Sequence, residues 1–114
     1  MNADYVRLTG TVKRKVPYHI AIINELPLAT QEDDREQAVE EVSRALRAYL
    51  VTNEILGQVY SVMERTGHSG ELDEREYFER LMKAIDGNRR RVTWKAPSVS
   101  GEQGFDIDFP LRDG

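Results

Sequence analysis

Four groups of residues in this chain have types and spacings that chemistry could use. Asp106 and Asp108, in "FDIDF", stand two apart in an alternating segment, so both carboxylates project to one side and could hold a divalent ion or act as an acid pair. Ser69, in "GHSGE", has the look of a nucleophile-elbow serine. His19 and His68 are the two histidines of the chain. Two basic runs, Lys13, Arg14 and Lys15 in one and Arg89, Arg90 and Arg91 in the other, could neutralise phosphates while Trp94, Tyr18 or His19 offers a ring on which bases stack.

Each of these also has a plainer reading. In "GHSGE" Glu71 takes the position that needs glycine, and the flanking pattern runs helix to helix instead of strand to helix, which makes Ser69 a loop residue. Neither histidine has a second one at metal-ligand spacing. Asp106 and Asp108 alternate with Phe105, Ile107 and Phe109, the pattern of a half-buried strand, and two outward aspartates would discourage edge-to-edge pairing. The glycines form no phosphate-cradling loop, and the absence of cysteine excludes thiolate metal sites, disulfides and cysteine nucleophiles. The expectation is a chain with no catalytic residue, no metal and no cofactor, hence not an enzyme.

The arginines need separate weighing. Consecutive residues of a strand point to opposite faces, so Arg89, Arg90 and Arg91 cannot share one. The sequence pI near 5.2 and net charge of −4 are far from the basic footprint of nucleic-acid domains. These arginines are therefore expected to form a solvated strand entrance or to pair with an acidic helix, with the stem of Arg91 lying along the sheet beside Val92. Nucleic-acid binding through Lys13, Arg14, Lys15, Arg89, Arg90, Arg91 and Trp94 is the alternative.

The elements that must position these residues follow from charge and periodicity. Residues 1–26 hold four bases and two acids, residues 27–87 seven bases and fourteen acids, and residues 88–114 five bases and four acids. The acidic middle reads as helix and the flanks as strands. "DYVRLTGTV", with Gly10 as a bulge, and "YHIAIINEL" form an N-terminal hairpin; "RRVTWKAP" and "FDIDF", stopped by Pro110, form a C-terminal one. Between them a long helix starts at an N-cap on Thr30, with Glu32, Asp33 and Asp34 in its first turn, and ends at Gly67. A shorter helix follows, with Asp73 and Glu76 as a capping box, Leu72 stapling onto Tyr77 and Gly87 as its stop. The result is a single α+β domain over 1–114 in the order ββααββ, an antiparallel sheet packed on helices.

A helix of that length would span roughly 50 Å, against a radius of gyration of about 13 Å for a domain of this size. Either it breaks between Thr52 and Gly57, or it projects and another chain covers it. The heptad pattern favours projection: Val39, Leu46, Asn53 and Tyr60 take one core position and Val42, Tyr49, Leu56 and Met63 the other, with Asn53 placed to fix register. Ala48, Val51, Ile55 and Val62 make the opposite side apolar as well. The sequence thus predicts a homodimer through these eight residues, and a non-catalytic regulatory or adaptor module acting through protein contacts. With no basic leader and no apolar run of membrane-spanning length, the expected location is cytoplasmic, away from membranes.

Overall fold

Alternation builds the sheet. In β1 (Tyr5–Lys15) Val6, Leu8, Gly10 and Val12 are buried while their neighbours face outward; β2 (Tyr18–Ile23) buries Ala21 and Ile23, and β5 (Gln103–Pro110) buries Phe105, Ile107 and Phe109. This computed structural model describes residues 4–112; residues 1–3 and 113–114, the ends of the predicted 1–114 domain, lie outside the described residues. The two predicted hairpins merge into one five-stranded antiparallel sheet of order β3-β2-β1-β5-β4, with β4 at Arg91–Pro97. The first and last strands of the chain are neighbours at its centre.

Three helices cover one face: α1 (Arg35–Ile55), α2 (Val59–Arg65) and α3 (Glu74–Asp86). α1 lies across β1, β2 and β3, and α3 lies against β5 and α1. Val39, Val42, Leu46 and Leu50 of α1 and Tyr77, Leu81 and Ala84 of α3 meet the inward side chains of the sheet in one core. Among the described residues no helix lies on the other face of the sheet.

Four local expectations are corrected. "ATQE" is a third strand, β3 (Ala29–Glu32), paired with β2; it escapes the sequence because four mostly polar residues carry no apolar alternation. Thr30 is therefore not a cap. Asp34 is, its carboxylate accepting from the Gln37 N–H at 2.8 Å, and the Thr30 hydroxyl donates instead to the Ala38 carbonyl. Gly10 is not a bulge: it pairs in regular register with Ile23 and Phe105, and a Cβ there would meet the Ile22 carbonyl oxygen at 2.5 Å and the Phe105 ring at 2.7 Å.

The fourth correction is the long helix, which breaks at Leu56–Gln58. Gly57 takes φ +69°, its N–H bonds the Glu54 carbonyl, and the Gln58 N–H bonds the Asn53 carbonyl at 2.7 Å, a Schellman stop. Gly67 (φ +79°) ends α2 in the same way, with the His68 N–H on the Met63 carbonyl. For α3 the left-handed residue is Asn88 (φ 55°), one beyond the predicted Gly87, which is an ordinary C-cap at φ −84°. The broken helix folds back within a molecule 41 Å in its longest dimension, so the size conflict is resolved inside one chain.

Candidate functional site

The three arginines go to three places. Arg89 donates to the Arg112 carbonyl at 2.6 Å. Arg90, its side chain only 12% exposed, reaches Glu40 on α1 and Asn88, which is the pairing with an acidic helix that the charge pattern suggested. The stem laid against the protein is thus that of Arg90, while Arg91 is exposed on the helix-free face. There Arg7, Asp108 and Arg91 stand abreast on β1, β5 and β4. Arg7 binds Asp108 with both ends of its fork, Nε to Oδ1 at 2.8 Å and Nη2 to Oδ2 at 3.1 Å, and this carboxylate holds the Arg7 guanidinium above its ordinary value. Tyr5 and Pro110, paired in the next row, complete an open concavity of about 490 Å³.

The second basic run is at the other end of the sheet. Lys13 lies six positions along β1 from Arg7, which is abreast of Arg91, a distance of about 20 Å along a strand. Lys13 pairs with Glu102 at 3.9 Å, Arg14 lines a separate hollow beside Asp34 and Glu36, and Lys15 is exposed. Trp94 points to the helix side, where its ring packs on Phe105 and the Arg35 guanidinium sits 4.7 Å above it. The residues of the nucleic-acid alternative are therefore not gathered on one surface.

Of the eight heptad residues, Val39, Val42, Leu46, Asn53 and Met63 are buried in the chain's own core, and Tyr49 is partly buried against it. Their stripe faces the sheet because the sheet offers the apolar surface that the sequence assigned to a second chain. The Asn53 side chain donates to the Tyr49 carbonyl one turn back at 2.8 Å, a bond within its own helix. Leu56 and Tyr60 escape the core: the break turns them outward, with Ile55, so that Ile55, Leu56 and Tyr60 are 76%, 61% and 48% exposed. Beside this corner Glu54, Gly57 and Val59 form one wall of a cleft of about 450 Å³, closed on the α3 side by Glu74, Arg75, Phe78 and Glu79. Arg75 lies 4.0 Å from Glu79. The cleft thus sets three glutamates and Arg75 beside two apolar side chains, Val59 and Phe78, a feature that the heptad reading concealed because it took the helix as continuous.

His68, Asp106 and Asp108 each have partners within the chain. His68 is buried, with Nδ1 2.9 Å from the Thr66 carbonyl and Nε2 2.9 Å from the Tyr5 carbonyl, so it clasps the α2–α3 loop to the start of β1. Asp106 and Asp108 do point to one side, but β5 is an interior strand. They serve as cross-strand partners, Asp108 to Arg7 and Asp106 to Lys95 at 3.4 Å, and not as guards of an edge. Among the described residues no three His, Cys, Asp or Glu side chains are grouped to hold a metal ion, and no helix is long and apolar enough to cross a membrane. No protein-family profile, curated protein or solved structure matches this chain.

Proposed function

We propose that this chain is a non-catalytic interaction module, of regulatory or adaptor type, whose contact surface is the α1–α2 corner and the cleft beside it. The observation that carries the reading is the exposure of Ile55, Leu56 and Tyr60 together over a helix break, next to a cleft whose lining includes Val59 and Phe78. Large apolar side chains grouped beside a polar rim are what a desolvated contact requires. Glu54 and Glu74 face that cleft with one basic residue, Arg75, which Glu79 engages. The fitting partner is therefore a protein segment with apolar anchors flanked by Lys or Arg.

A second copy of the chain is the competing occupant, as the heptad stripe anticipated. It would now be limited to Leu56, Tyr60 and Ile55, and a two-fold pairing there brings one acidic rim against another, which costs affinity. Titrating an amphipathic Leu/Lys peptide into the 15N-labelled chain tests the choice. Resonances of Ile55, Leu56, Tyr60 and Phe78 should move, and Leu56→Asp should abolish the shifts without changing the urea midpoint. Shifts elsewhere, or light scattering that reports a dimer which Leu56→Asp dissociates, would replace the basic partner by another surface or by a second copy.

A further inference from the structure

Among the described residues Arg91 lies on the bare face of the sheet with no side-chain partner, whereas the other described charges lining the concavity are already committed. Arg7 is spent on Asp108 and lies over the Tyr5 ring, 5.1 Å from its centroid; Arg90 is spent on Glu40; Asp4 is paired with Arg112. What remains in the concavity is one unneutralised guanidinium fork, some unused N–H groups on Arg7, and an apolar floor made by Tyr5 and Pro110.

We propose that this concavity binds a carboxylate of an acidic polypeptide segment, Arg91 taking the carboxylate in its fork and Tyr5 with Pro110 packing against the apolar residue beside it. The planar fork matches a carboxylate in two parallel hydrogen bonds, and the open concavity leaves room for the residue beside it. Charge selects the ligand class. Among the described residues of the lining one unpaired cation balances a monoanion, whereas a phosphate dianion would leave a net negative charge beside Asp108 and Asp4. A nucleic-acid strand would need further cations in line, and the Lys13 run is about 20 Å away along β1. The site lies on the sheet face opposite the helices and does not depend on the α1–α2 corner.

The test is an NMR titration of the intact chain with three probes: a blocked peptide of glutamate and leucine, inorganic phosphate and a short oligothymidylate. The peptide should shift Tyr5, Arg7 and Arg91, and Arg91→Gln should weaken it by about tenfold or more at an unchanged thermal midpoint. Arg91→Lys, which keeps the charge and loses the fork, should recover part of that loss. Arg44→Gln, an equal charge change on exposed α1, and Leu56→Asp should each leave affinity within about twofold. Equal losses in Arg44→Gln and Arg91→Gln, tighter binding of phosphate or oligothymidylate at the same residues, or no shift at millimolar peptide would each overturn the carboxylate site. Because Leu56→Asp reports on the corner alone, either reading can fail while the other stands.

Discussion

Tyr77 is a single residue in which burial can be read as pH dependence. Its ring is enclosed between α3 and the core, and its hydroxyl is 2.8 Å from that of Thr66, which in turn reaches the Val62 carbonyl at 2.9 Å. Burial disfavours the phenolate and pushes the Tyr77 hydroxyl up to about 12. In the unfolded chain the same group ionises near pH 10, so the folded state holds this proton more firmly. The resulting stabilisation is fully present below pH about 10 and is lost as pH rises toward about 12. Urea unfolding from pH 8 to 11.5 should show this decline, and Tyr77→Phe should flatten it while costing about 1 kcal/mol at neutral pH through the lost hydrogen bond. An equally steep alkaline decline in Tyr77→Phe would assign the effect to other groups. The same residue-level contrast separates the arginines: identical side chains end on a carbonyl, on the exposed carboxylate of Glu40 and in solvent because each leaves the backbone at a different place.

At the level of elements, two glycines do opposite jobs. Gly57 is needed for its backbone, since it holds φ +69° with nothing within 4 Å of where a Cβ would be. Gly10 is needed for its size, since the Ile22 carbonyl and the Phe105 ring already fill that space in the middle of β1. Gly57→Ala should therefore lower stability by about 1 kcal/mol and Gly57→Asn by less, because Asn tolerates the left-handed region. Gly10→Ala should cost about 2 kcal/mol or more through overpacking, with no Asn advantage. Chemical denaturation midpoints of the three variants check both; a Gly57→Asn as costly as Gly57→Ala would contradict the backbone explanation. The break at Gly57 is also the step that creates the exposed corner, so this glycine links helix capping to the proposed contact surface.

For the whole molecule, the division of the heptad stripe into core and surface has a direct consequence. Leu46 is fully buried between α1 and the sheet, whereas Leu56 is 61% exposed ten residues further along the same apparent stripe. Leu46→Asp places a charge in a desolvated site and should unfold the chain at room temperature, a cost of several kcal/mol. Leu56→Asp should change stability by less than about 0.5 kcal/mol. Thermal melts followed by circular dichroism distinguish them, and comparable destabilisation by both would mean that the stripe is buried as one unit in a larger assembly. The charge layout acts at this scale too. The two basic runs lie at opposite ends of the sheet, so their fields do not add at one phosphate-sized site.

Near-neighbour pattern was enough for the strands β1, β2, β4 and β5, the Asp73 cap accepting from Glu76 at 2.7 Å, and the glycine stop at Gly67, but not for the break at Gly57, which the continuous heptad pattern hid. Local periodicity records which faces need burial and which backbone positions need glycine, and both are properties of a few consecutive residues. Tertiary structure decided what covers each face. The stripe of Val39, Val42, Leu46 and Met63 was legible as apolar, but only the position of the sheet assigned it to the chain's own core. β3 exists because β2 offers a free edge to "ATQE", a preference those four residues do not carry alone. Arg91 is distinguished from Arg89 and Arg90 only once β1 and β5 place Arg7 and Asp108 beside it, residues 84 and 17 positions away in sequence that become neighbours through strand pairing.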